Sequence, residues 1–80
     1  MTPLLYIGLT KPARDFRRND IIRYPKPRHE HGGLSYRRYR IVEYIGIGRY
    51  GYDYKVEDLE TKEVKWQGFG SQTRWIVEES

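Results

Sequence analysis

Apolar and polar positions alternate with a period of two through the second half of the chain. Tyr52, Tyr54 and Val56 share one parity, while Asp53, Lys55 and Glu57 share the other. This predicts a strand over 52–59 with one wet face. The alternation returns over Glu63–Gln67, where Val64 and Trp66 oppose Glu63, Lys65 and Gln67. Tyr39–Ile47 (YRIVEYIGI) is the run richest in β-branched and aromatic residues. Asp20–Tyr24 (DIIRY) is a shorter run ended by Pro25, and Arg74–Val77 is a last short strand. Gly, Pro and polar clusters separate these runs. Pro25–Ser35 is a loop with two prolines, two histidines and Gly32-Gly33; Gly48–Gly51 is a turn; Glu60-Thr61-Lys62 is a tight turn; and Gly68–Thr73 is a second loop. No 3.6-residue apolar repeat persists for three turns, and glycine or proline interrupts every candidate helix window.

Five short strands joined by one long loop and several tight turns are the layout of an SH3-like small barrel. The expectation is an all-β fold with that barrel over residues 20–80. Residues 1–19 form an N-terminal extension with three open roles: an added strand at Leu4–Leu9, a wrap around the barrel, or a loose tail. Within it, Arg14-Asp15-Phe16-Arg17-Arg18 reads as an arm able to fold on a partner. With 80 residues there is one domain, and a chain of this size buries only about 60% of its unfolded surface. The eight tyrosines, two tryptophans and two phenylalanines must therefore supply much of the core.

Tyr39-Arg-Ile-Val-Glu-Tyr-Ile45 and Lys65-Trp-Gln-Gly-Phe69, followed by Trp75, resemble the chromodomain pattern Y-x-V-E-x-I, K-W-x-G-F, W. The resemblance implies an SH3-like barrel. Many members of that family hold methyl-lysine in an aromatic cage. The cage is not carried over here, because Trp66 and Trp75 at alternating strand positions are expected to pack inward.

Charge changes the picture. Residues 1–40 carry ten Lys+Arg against three Asp+Glu, and eight of the ten are arginines; residues 41–80 carry five against eight. Arginine forks onto phosphate and stacks on flat rings, so an Arg-rich half suits a polyanionic partner. The chain has no cysteine, which removes disulfides, thiolate zinc sites and thiol nucleophiles. It has no apolar run longer than four residues and no basic stretch ahead of a long apolar one. The expectation is a soluble, cytoplasmic protein without membrane association.

The motifs with catalytic overtones are weak. Gly46-Ile-Gly-Arg-Tyr-Gly51 matches G-x-G-x-x-G, but a strand follows where a dinucleotide fold requires a helix. Tyr44–Val56 resembles the glycine-rich hairpin of protein kinases, with Lys65 near the position of their phosphate-binding lysine. Asp53 replaces the valine that caps the nucleotide, so the segment reads as a glycine-punctuated β-hairpin. His29-Glu30-His31 lacks helical i, i+4 spacing and a third ligand, so it reads as loop polarity. Glu63, Lys65 and Asp53 or Asp58 read as wet-face pairing, and Glu78 and Glu79 as a solvated end. No enzyme, metal or cofactor is expected.

What remains is Tyr36-Arg37-Arg38-Tyr39-Arg40, with Arg23, Lys26 and Arg28 across the same loop. Cations interleaved with rings suit nucleic acid, RNA or DNA. Arg23, Lys26, Arg28, Arg37, Arg38 and Arg40 would contact phosphates, and Tyr36 and Tyr50 would stack on bases. The alternative is a protein–protein interaction module, such as a small phage-type regulator or inhibitor, since Arg and Tyr also dominate protein interfaces.

Overall fold

The computed structural model describes residues 9–27 and 35–78. Among the described residues there are six strands, β1 (Thr10–Pro12), β2 (Ile21–Pro25), β3 (Tyr36–Ile47), β4 (Gly51–Asp58), β5 (Val64–Gly70) and β6 (Arg74–Glu78), with one 3-10 turn at Ala13–Asp15. The five strands read from the sequence are all present, with β3 beginning three residues earlier than expected. The strands form one antiparallel sheet in the order β1-β6-β2-β3-β4-β5. The sixth strand, β1, begins just after the Leu4–Leu9 segment. Of that segment only Leu9 is among the described residues, and its carbonyl accepts from the Val77 amide at 3.1 Å. No described helix is long and apolar enough to cross a membrane.

The two edge strands, β1 and β5, share no backbone ladder, so the sheet is open. Side chains fold it over its own concave face. The Trp75 indole of β6 donates to the Gly70 carbonyl of β5 at 3.1 Å, and the Tyr54 hydroxyl of β4 donates to the Ala13 carbonyl of the 3-10 turn at 2.6 Å. Between them lies the core: Ala13, Phe16, Ile22, Tyr39, Ile41, Tyr54, Val56, Phe69 and Val77, flanked by Leu9, Tyr24, Tyr52 and Trp75. Phe69 is its hub, with its ring against those of Phe16, Tyr24, Tyr39, Tyr54 and Trp75 at centroid distances of 5.1–6.4 Å. Such pairs contribute about 0.5–1.5 kcal/mol each beyond area burial.

Phe69 also decides the parity of β5. Side chains alternate faces, so Phe69 carries Gln67 and Lys65 to the concave side with it. The Lys65 ammonium lies 5.1 Å from the Tyr39 ring centroid. Val64 and Trp66 are turned outward, 51% and 65% exposed. This corrects the expectation that Trp66 is core: Trp66 and Phe69 have opposite parity, and the ring with five aromatic neighbours is the one enclosed. Trp75 does pack against the core, stacked on Tyr24 at 5.2 Å. Likewise, Arg14–Arg18 is no separate arm, because Ala13 and Phe16 are buried in the same core as the sheet.

Candidate interaction surfaces

The register of β2 and β3 sets the arginines. Arg23 lies opposite Arg38, Tyr24 opposite Arg37 and Pro25 opposite Tyr36. Two arginines facing one another across a ladder repel. Glu78 resolves this from β6, which pairs with the other side of β2. Its Oε2 accepts from Arg23 Nε at 2.7 Å, and its Oε1 accepts from Arg38 Nη2 at 2.8 Å. Burial disfavours ionisation of this carboxyl. The hydrogen bonds and charges of the two guanidinium groups outweigh that effect and hold it below its ordinary range. The same contact raises Arg38 above its ordinary value. Glu78 is therefore no solvated end: its side chain is only 18% exposed.

Three further predicted phosphate contacts, Arg40, Arg37 and Lys26, are engaged in the same way. Arg40 donates to Glu57 Oε1 at 2.9 Å from Nη2 and to Asn19 Oδ1 at 2.8 Å from Nη1. Arg37 turns to the other face and reaches Asp58 at 3.4 Å, and Lys26 reaches Glu60 at 3.4 Å. Asp58 is buried, with Oδ1 accepting from the Glu60 and Thr61 amides at the β4–β5 turn. Arg23 also lies over the Tyr36 ring, 4.6 Å from its centroid. Five cations of the predicted patch are thus interleaved with four carboxylates, Glu57, Asp58, Glu60 and Glu78. Tyr50 does not join them. It lies beyond the far end of twelve-residue β3, roughly 35 Å along the strand from Tyr36 at about 3.3 Å per residue. Arg28 and the His29-Glu30-His31 motif lie outside the described residues.

The glycine-rich segment is a hairpin turn. The Gly48 amide donates to the Gly51 carbonyl at 2.8 Å, and β4 follows directly. The Asp53 carboxylate lies across Gly48, where a Cβ would sit 2.6 Å from it.

Two surfaces that the sequence reading passed over are more open. One is β5, at the end of the strand order, with no strand on its far side among the described residues. Trp66 and Val64 stand on its outward face, opposite Lys55 and Glu57 of β4. The other is a depression of about 840 Å³ between β1, the 3-10 turn and Arg74. The signal for the first was available in the K-W-x-G-F run, had its parity been counted from Phe69 rather than Trp66. The second needs β1 and β6 side by side, which no local pattern announces. No protein-family model, curated protein or solved structure matches this chain.

Proposed function

We propose that this chain is a non-enzymatic binding module of the SH3-like, chromodomain-related kind, and that it takes an extended segment of a partner protein along β5. One observation carries the reading: an edge strand whose alternate apolar residues, Val64 and Trp66, face outward beside a backbone edge that pairs with no other strand among the described residues. An open strand edge offers backbone donors and acceptors at strand spacing, and another polypeptide strand is the ligand that matches them. Side chains two residues apart then read alternate residues of the incoming segment, and an exposed tryptophan is the residue type most enriched at binding hot spots. The pairing of Arg23, Lys26, Arg37, Arg38 and Arg40 with carboxylates favours this reading over nucleic acid at β2–β3, because guanidinium groups already held by Glu57, Asp58 and Glu78 contribute little counterion release. The strand positions of the chromodomain-like residues, Tyr39–Ile45 within β3 and Lys65–Phe69 within β5, support the SH3-like assignment.

The test is selection from a random twelve-residue peptide library displayed on phage. The expected result is extended peptides with alternating apolar residues. Their binding shifts the amide resonances of β5 and is lost in Trp66→Ala. Selected peptides that shift other strands, or that bind Trp66→Ala equally, overturn the reading. A dimer in sedimentation that dissociates in Trp66→Lys would assign the edge to a second copy of this chain, and that too overturns it.

A further inference from the structure

We infer that the depression between β1, the 3-10 turn and Arg74 binds phosphate groups of a nucleic-acid strand, at a site separate from both β5 and the β2–β3 arginines. Its wall carries four cations, Lys11, Arg14, Arg17 and Arg74, against two carboxylates, Asp15 and Asp20. The carboxylates offset the cations less completely than at β2–β3, since Asp20 neutralises Lys11 and the three arginines remain. Asp20 is consumed inside the wall, accepting from Lys11 Nζ at 2.8 Å and from the Arg17 amide at 2.9 Å. Asp15 lies 3.9 Å from Arg14 Nε with both side chains more than half exposed, a separation at which water screens the pair. The Arg17 guanidinium makes no hydrogen bond or ion pair among the described residues.

The site is also held in shape. Arg74 is oriented by two bonds to Thr10, from Nε to Oγ1 at 3.0 Å and from Nη2 to the carbonyl at 2.8 Å, which leaves Nη1 for a ligand. Ala13 and Phe16, whose neighbours are Arg14 and Arg17, are buried. The Tyr54–Ala13 hydrogen bond ties the turn to β4. The Arg74 guanidinium, already oriented, loses little freedom on binding; the rigid backbone sets where the Arg14 and Arg17 side chains start, and the planar forks of all three match phosphate oxygens. The volume accommodates a nucleotide unit rather than a lone ion, and the open wall lets a strand continue past it.

The experiment is fluorescence anisotropy with labelled single-stranded RNA and single-stranded DNA, with pyrophosphate as competitor. If Arg14, Arg17 and Arg74 each neutralise one phosphate, the slope of log affinity against log salt is about −2. Raising salt from about 50 to 200 mM then weakens binding roughly 15- to 20-fold. Arg14→Ala/Arg17→Ala, at exposed positions, is expected to lose at least about tenfold in affinity and to flatten the slope to about −0.7. Lys62→Ala, which removes one charge from the β4–β5 turn, should stay within about twofold of the parent. Equal losses in the two variants would mean diffuse attraction and overturn the site. Loss confined to Arg38→Ala or Arg40→Ala would return binding to β2–β3, and pyrophosphate binding without strand binding would make the ligand a free phosphate compound. Either result, or no binding at about 50 mM salt, overturns the inference. Because the strands are read at β1 and the peptides at β5, failure of one proposal leaves the other standing.

Discussion

Replacing Asp58 is expected to be among the most damaging single changes to this fold. Its carboxylate is buried at the end of β4 and serves both the β4–β5 turn and Arg37. Oδ1 accepts from the Glu60 amide at 2.8 Å and the Thr61 amide at 3.3 Å, closing the β4–β5 turn, while Oδ2 faces Arg37 Nη1 at 3.4 Å. Removing one partner of a buried pair costs about 3–5 kcal/mol, because the partner left behind is uncompensated. Arg37 remains 28% exposed, so water takes part of its charge and the lower end applies. Asp58→Ala should therefore cost about 3 kcal/mol, against a total stability of roughly 4–12 kcal/mol for a chain of 80 residues. At about 4–8 °C per kcal/mol, Tm should fall by roughly 12–24 °C. Asp58→Asn keeps the Oδ1 acceptor for the turn amides and gives up only the charge opposite Arg37, so it should cost about 1 kcal/mol. Thermal and urea denaturation followed by circular dichroism separate the two variants. An alanine variant within about 1 kcal/mol of the parent refutes the reasoning. Equal losses in the two variants would show that the turn bonds contribute nothing and the charge everything.

Gly51→Ala places a Cβ 2.0 Å from the Phe69 carbonyl, a backbone atom that cannot swing away; β4–β5 pairing should weaken, seen as faster amide exchange in Gly51–Asp53 and Gly68–Gly70. Lys62→Gly relieves a left-handed residue at φ 68° and should raise stability by up to about 1 kcal/mol, whereas an unchanged or lower Tm counts against the strain. The lowered pKa of Glu78 means that its contribution is present above its ordinary value of 4.5 and is lost as pH falls through the lower folded value. The parent should then lose more urea resistance between about pH 6 and pH 3 than Glu78→Gln, and parallel curves would contradict this. Burial pushes the Tyr54 phenol up to about 12, so folding favours its neutral form. This contribution is full below the ordinary value of 10.0 and disappears as pH rises through about 12, so Tyr54→Phe should flatten the alkaline limb of the stability curve.

The local pattern of residue types, with alternation over 52–59 and 63–67 and β-branched or aromatic runs bounded by Gly and Pro elsewhere, determined the all-β class, the positions of five strands and most turns, because each is a local property of the chain. It also marked Tyr39, Ile41, Tyr54, Val56 and Val77 as strand residues, all of which are buried. What it left open was which parity of β5 faces inward. Val64 and Trp66 against Lys65 and Gln67 reads equally well both ways until Phe69 meets the rings of Phe16, Tyr24, Tyr39, Tyr54 and Trp75, contributed by four other strands and the segment after the 3-10 turn. The arginine cluster was legible as composition but not as electrostatics. Glu78 stands 55 residues from Arg23 and 40 from Arg38, and only the insertion of β6 between β1 and β2 brings it beside both. The same insertion sets Arg74 against Thr10 and forms the cationic depression. Strand identity depends on neighbours in the chain, whereas strand order, facing and charge pairing depend on partners that only long-range packing supplies.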